Sequence, residues 1–519
     1  MEQGGGEADV RWWWAALAGC LVLVAVPFFV IDVPPLLDYP NHLARLYVLA
    51  HVASDPVLGA MYAPHWSILP NLGLDIVGVP LVKLLPVHVA GRILLYAAAL
   101  MPTIGVIVYH RALFVRRSYG PLAATAFAFN AIFFAGFAAF LYGVGLALIG
   151  AALWIRWRER ELAVRVAATV ATGIVLFFCH MLALFYFLVL VVAHEAAAAW
   201  PLDVAGRRRA LESLGILAGG LLPTLLLYGL SPFAGDTGAS IWQYGNKLTL
   251  LLTPFMTYSQ WVTVGSALVL AALVAVCALR GRWIRIDRGA LLAVVLVLAV
   301  YAVAPSRMHG GAVIDARLPL LALLTLAGGI GVQVSRRSAL VLGAVVAALI
   351  VVRTGSVSAS WAEHRQDLAA FRSAIAPVMP GERVLVVSGT RAAHSGYFLS
   401  EPRSRMLPGF YYRLDEHLPA LLVIERHAFW PYLFADPRQQ PITVRPPYAA
   451  IAWPLGEPPA PADIATDDGP GAYLSDWPAH FDYVLLLDAG AIDASKLRPD
   501  RLQPIVRTDA ATLYRVRKG

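Results

Sequence analysis

Eleven apolar stretches, most of them long enough to cross a bilayer core of about 30 Å, decide what this chain can fold into. They fall roughly at 12–31, 88–110, 121–135, 142–157, 163–179, 181–199, 212–230, 258–279, 288–305, 317–334 and 338–353. Arginine clusters follow every second stretch. They are Arg111, Arg116 and Arg117; Arg156, Arg158, Arg160 and Arg165; Arg207 to Arg209; Arg280, Arg282, Arg285 and Arg288; and Arg336 with Arg337. Such alternation puts every cluster on one face of a membrane, and the positive-inside rule makes that face cytoplasmic. The chain then begins inside, residues 32–87 form a long first outer loop, and everything after residue 354 is outside. Composition agrees: 59 % of residues are hydrophobic and only 14 % charged, whereas a soluble domain has about one quarter charged.

Several function classes drop out. The formal charge of +8 sits in short clusters between apolar runs, which is the pattern of cytoplasmic loops and not of a nucleic-acid surface. Cys20, Cys179 and Cys277 all fall within apolar runs, so neither a disulfide framework nor a zinc site is indicated. Neither Gly-x-Gly-x-x-Gly nor Gly-x-x-x-x-Gly-Lys-Ser/Thr occurs, which argues against an ATP-driven pump. Trp12 to Trp14 open the first stretch as an interfacial anchor, and the stretch reads as a retained span rather than a signal peptide. Residues 66–86 are apolar but carry Asp75, Lys83 and three prolines. That predicts a helix lying in the outer interface, not a further crossing.

Ionisable side chains are scarce in such a chain, so chemistry is expected where they gather. The densest gathering runs from Asp32 to Arg45, just past the first span, and includes Asp38, Tyr39, Asn41 and His42. The prolines make Asp38 to Asn41 a turn, and a helix from His42 puts His42 and Arg45 on one face. The plain alternative is an interfacial loop whose charges meet only water and headgroups. A second polar group lies in the short loop 305–319, where Arg307, His309, Asp315 and Arg317 flank Gly310-Gly311. Arg317 offers a planar fork for a phosphate, with Arg307 or His309 as a second contact; the alternative is a local salt bridge of Asp315 and Arg317. His180 and Tyr186 read as a packed polar pair.

Beyond residue 354 the chain becomes charged and proline-rich, with no run of membrane length. Residues 367–376 predict an amphipathic helix, 382–388 a buried strand, 417–425 a helix, 481–488 a second strand and 510–515 an edge or terminal strand. Together they predict a small α/β or α+β domain outside the membrane. Phe429, Trp430, Tyr432 and Phe434 form either this domain's core or a surface that packs down on the membrane part; clustered Trp and Tyr suit an amphipathic boundary and favour the second.

An acidic motif outside the first span, a long first outer loop, about eleven spans and an outer C-terminal domain resemble the GT-C superfamily of polytopic glycosyltransferases. The closest branch in pattern includes the protein O-mannosyltransferases and the lipid A aminoarabinose transferase. Asp32 or Asp38, with Tyr39 and His42, is similar to the family's early acidic motif, and Leu69-Pro70-Asn71-Leu72 to its later Pro-Pro-Leu-like stretch. The usual Asp-Glu dyad is absent. The resemblance, covering roughly residues 10–350, implies an α-helical polytopic membrane protein with a C-terminal extracytoplasmic α/β domain (1–354 and 355–519).

It further implies transfer of a sugar from a polyprenyl-phosphate donor to an envelope lipid, glycan or protein acceptor on the outer face of a bacterial inner membrane. Asp38, Asp32 and His42 would be the catalytic candidates. Tyr39, Asn41, Arg45, Arg307, His309, Asp315 and Arg317 would bind substrate. No organic cofactor is implied, although some members of the superfamily hold a divalent cation. A transporter or flippase, or a non-catalytic subunit of envelope polysaccharide export, remains the alternative from another class.

Overall fold

The structure, a computed structural model, describes residues 10–114, 117–201, 203–235, 238–280, 283–308, 311–388, 407, 409–410, 412–487 and 497–518. His309 lies outside the described residues.

The membrane part begins with α1 (Val10–Ala25), extended by a 3-10 turn (Val26–Phe29). The first outer loop carries α2 (Tyr39–His51), α3 (Pro56–Met61), strand β1 (Tyr62–Pro64) and α4 (Gly73–Leu84). α4 is the helix expected at the interface, with Lys83 exposed and Asp75 turned inward. α2 starts three residues earlier than expected, at Tyr39. Pro40 falls in its first turn, where a missing N–H costs nothing, so Asp38 is the N-terminal flanking residue and not part of a free turn.

The remaining crossings are α5 (Val87–Phe114), a broken segment containing α6 (Ala131–Phe134), then α7 (Ala138–Arg156), α8 (Leu162–Cys179), α9 (Met181–Ala199) and α10 (Val204–Leu230). After the short α11 (Lys247–Leu250) come α12 (Gln260–Leu279), α13 (Arg288–Val303), α14 (Leu318–Gly329) and α15 (Arg336–Ile375). Among the described residues, eight helices, α1 included, are long and apolar enough to span, while α13 and α14 are shorter.

The third expected span is not a helix. Residues 120–127 form a 3-10 stretch, and only Ala131–Phe134 are α-helical. At one end Trp13 Nε1 donates to Ser118 O, beside the start of α1; at the other the Leu37 N–H donates to Phe134 O, beside the first outer loop. The segment therefore crosses from one face to the other with its helical ladder broken. Backbone groups freed inside a bilayer must find partners in the protein. Arg353, buried in α15, supplies them by donating to Ala126 O (2.5 Å), Phe129 O (2.6 Å) and Phe255 O (2.8 Å). Asn130 caps α6 through its side-chain oxygen and donates to Phe127 O.

The crossings pack around α5 and α7, which meet at Gly105 and Gly145. A Cβ on Gly105 would lie 2.6 Å from the Gly145 carbonyl oxygen, so only glycine permits this approach. On the face where α1 begins, strands β2 (Ile284–Ile286) and β5 (Ile330–Val332) pair, and Arg158 bonds Glu195. The arginine-bearing loops gather there, on the face opposite the first outer loop.

β3 (Arg307–Met308) and β4 (Gly311–Ala312) form a hairpin on the outer face. α15 is 40 residues long, about 60 Å at ~1.5 Å per residue, and passes through residue 354 without a break. The expected helix at 367–376 is thus the outer end of a membrane-crossing rod. On it rests a sheet of β6 (Val384–Ser388), β8 (Tyr483–Leu487), β9 (Leu502–Arg507) and β10 (Ala511–Val516), in the order β6-β8-β10-β9. The β6–β8 pair is parallel and the others antiparallel. β10 is therefore an inner strand, and β9 takes the edge expected for it. The helix expected at 417–425 is a 3-10 turn followed by α16 (Leu421–Arg426). β7 (Ile442–Val444) leaves this domain to pair with β1 of the first outer loop.

Candidate functional site

The outer end of the broken crossing organises the site. Its turn, Ala135 to Phe137, touches Asp38 on one side and Arg317 on the other. The Asp38 N–H donates to Ala135 O (3.2 Å), and the Arg317 guanidinium lies over the Phe137 ring at 3.9 Å. Gly136 makes the turn possible. Its φ is +88°, and a Cβ there would fall within 3.0 Å of Asp38 and Tyr39 backbone atoms.

Asp38 flanks the first turn of α2 without capping it, so its carboxylate is left for other partners. One is His417, which the C-terminal domain contributes: His417 Nδ1 lies 3.1 Å from Asp38 Oδ1, an ion-pair contact short of in-line hydrogen-bond geometry. Burial works against protonation of His417. The bond and charge of Asp38, helped by Glu416 and Glu457, outweigh it and raise the imidazole above its ordinary value. His42 behaves oppositely, held well below its ordinary value by burial and then by the charges of Arg45 and His417. Both imidazoles meet the Phe434 ring edge-on, at 5.3 and 5.1 Å between centroids.

Arg317 is buried at the outer lip of α14. Its terminal nitrogens reach His180 Nε2 (2.8 Å) and Ala312 O (2.9 Å), while Nε has no hydrogen-bond partner among the described residues. No carboxylate pairs with it directly, although the charge of Asp38 acts on it. An imperfectly neutralised guanidinium with a free donor is a natural anion site.

The other expected residues have different attachments. Asp32 accepts from Arg372 (2.7 Å), which also binds Glu425. Burial opposes ionisation of Asp32, but Arg372 and the charge of His88 prevail and lower its pKa. Arg45 makes a bidentate buried pair with Asp75 of α4 (2.7 and 3.0 Å) and reaches His42 Nδ1 at 3.1 Å. Asp315 is not paired with Arg317; it bonds Lys247 at 2.9 Å. Arg307 is exposed and donates to the Tyr412 hydroxyl. The Tyr39 hydroxyl is buried against α5 at Gly91 and has no hydrogen-bond partner among the described residues.

Asn41 clamps the C-terminal domain, donating to Tyr432 O and accepting from the Phe434 N–H. The aromatic segment 429–434 therefore does meet the first outer loop, while Phe429, Trp430 and Tyr432 are fully buried. His180 and Tyr186 are not a pair: Tyr186 bonds Thr325 at 2.6 Å. His417 was missed as a site residue because its partner is 379 positions earlier. The only sequence signal was its place in Asp415-Glu416-His417, shortly before the aromatic segment.

No family model matches the chain, and no curated protein matches it in sequence. Among solved structures, the apo crystal structure of ArnT from Cupriavidus metallidurans is similar over 97 % of this chain and 97 % of that one. The TM-score is 0.54 and the identity 13 %. This chain has the fold of that structure.

Within that fold, the constellation of Asp38, His42, His180, Arg317 and His417 lies where the first outer loop, the turn after the broken crossing and the C-terminal domain meet. A cavity of about 50 Å³ adjoins it without opening on the carboxylate, lined among others by Pro34, Pro35, Pro40, His364 and Leu418. Among the described residues, no group of three histidine, cysteine or carboxylate side chains could hold a metal ion. Asp38 instead faces an imidazole and a guanidinium, surroundings that do not fit a divalent cation.

Proposed function

We propose that this protein is a glycosyltransferase that moves a sugar from a polyprenyl-phosphate donor to an envelope lipid, glycan or protein acceptor. The reaction would occur on the outer face of a bacterial inner membrane, with the C-terminal domain in the periplasm. The observation that carries this reading is the placement of Asp38 and Arg317 on opposite sides of one turn at the outer end of a GT-C fold.

A carboxylate and a buried guanidinium so disposed divide the chemistry between them. The acceptor hydroxyl oxygen attacks the anomeric carbon and the bond from that carbon to the phosphate oxygen breaks. Its electron pair leaves with the phosphate, and the acceptor proton passes to Asp38. Arg317, with a free Nε–H, stabilises the charge growing on the departing lipid phosphate. The lipid keeps the leaving group at the membrane surface, so no nucleotide is needed. His42, held neutral by its surroundings, follows Asp38 by one turn of α2 as a hydrogen-bonding group.

The test is transfer in a defined system. Purified protein in nanodiscs receives a panel of polyprenyl-phosphate sugars and an envelope extract, without nucleotide. Labelled sugar in the acceptor fraction is the expected result. Movement of the donor between leaflets with no transfer would sink this reading in favour of a carrier.

A further inference from the structure

We propose that His417, carried by the C-terminal domain, is a positioning residue for Asp38: it holds one carboxylate oxygen so that the other faces the acceptor. This rests on the transferase reading above and extends it, because it makes the outer domain part of the active site.

The geometry of α2 explains why Asp38 needs such a partner. An aspartate flanking a helix start ordinarily turns its carboxylate onto the backbone N–H groups of the first turn. At α2 the second residue is Pro40, which has no N–H, but the Asn41 N–H remains available. Asp38 nevertheless makes no such bond, and its Oδ1 lies 3.1 Å from His417 Nδ1. His417 is itself fixed. Its ring packs edge-on against Phe434 and Trp430, at 5.1 and 6.2 Å between centroids, and the Phe434 backbone is clamped by Asn41, three residues from Asp38.

The charged groups around His417 favour its cation. Asp38 faces it from the start of α2, Glu416 from its own segment and Glu457 from the loop beyond β7, while neutral His42 lies across the Phe434 ring. Arg317 feels the charge of Asp38 but bonds His180 and Ala312 O, and Arg413 is paired with Asp415. A protonated His417 holds the Asp38 carboxylate aimed. Loss of that proton at higher pH, or of the ring by substitution, frees the carboxylate to fall back onto the Asn41 N–H. The fold survives, and the base points the wrong way.

The experiment uses the full chain in nanodiscs with histidines isotopically labelled, the His417 signal being assigned by its loss in His417→Gln. His417 is expected to titrate above an ordinary histidine in the wild type and to fall to or below that value in Asp38→Asn. With an undecaprenyl-phosphate hexose and an envelope lipid extract, His417→Gln is expected to lower kcat about 100-fold, with the donor KM unchanged. It should also remove the alkaline limb of the kcat profile. If the wild type transfers sugar and His417→Gln transfers it equally with the same pH profile, the positioning role is overturned and the transferase reading stands. A His417 titration unmoved by Asp38→Asn overturns the pairing itself. If the wild type transfers nothing, the transferase reading fails first and the positioning role falls with it.

Discussion

Arg45 and Arg353 show how a chain with few charges uses the ones it buries. Each is nearly inaccessible, and each satisfies groups that would otherwise be stranded: Arg45 the Asp75 carboxylate, Arg353 three backbone carbonyls of interrupted segments. Removing one member of a buried pair leaves the other unpaired, at a cost of roughly 3–5 kcal/mol, whereas replacing both with apolar residues can be nearly neutral. Arg45→Met or Asp75→Leu alone is therefore expected to lower unfolding stability by that amount, and the double variant to recover most of it. Additive losses in the double variant would show that the pair is not what holds α2 to α4.

The same residues mark the limit of what sequence can say at this scale. Asp38 and Arg317 stood out because ionisable groups are rare at a membrane lip. Arg45 and Asp315 stood out for the same reason, yet their charges are taken up by Asp75 and Lys247, partners 30 and 68 positions away. Rarity finds the charged residues; only the tertiary pairing separates those that build the site from those that hold it up.

Among the elements, the broken crossing and the long α15 depart most from a reading by periodicity. An apolar run of membrane length predicts a helix, and residues 120–135 have the run without the helix. Nothing local reveals that Arg353, more than two hundred residues later, will take over the carbonyls.

The seam between the first outer loop and the segment 417–427 was likewise illegible, being made of contacts between distant elements: Asp38 with His417, Asp55 with His427, His88 with Glu425, and Arg372 with Asp32. Its pH dependence follows from the shifts. Burial opposes ionisation of Asp32 and Glu425, but Arg372 and His88 lower both, so their stabilisation is present above about pH 4 and is lost as pH falls below it. His417 is raised, so its contribution is complete below about pH 6.5 and is lost as pH rises through its higher folded value. Hydrogen-exchange protection of residues 417–427, corrected for intrinsic rates, should therefore peak between about pH 4 and 6.5. A flat profile would mean the histidine and carboxylate pairs do not hold the seam.

For the whole molecule, the alternation of arginine clusters carried the architecture well. It counts eleven crossings; among the described residues eight helices are long and apolar enough to span, while α13, α14 and the broken segment are shorter. The pairing of β2 with β5 joins the loop after α12 to the loop after α14, and the bond of Arg158 to Glu195 joins the loop after α7 to the end of α9. A reporter fused after Arg209 should read cytoplasmic and one after Ser360 periplasmic; both on one side would break the count.

The central claim is that one turn of this fold brings together a base and a phosphate-binding cation with separate tasks. Its most direct test measures donor binding and turnover side by side in two variants, using the polyprenyl-phosphate sugar that the wild type transfers. Asp38→Asn keeps shape and removes the base, so turnover should fall about 10²- to 10⁴-fold while donor affinity stays near that of the wild type. Arg317→Ala removes the phosphate contact, so affinity and turnover should fall together. Normal turnover in Asp38→Asn, or unchanged donor affinity in Arg317→Ala, would contradict the account.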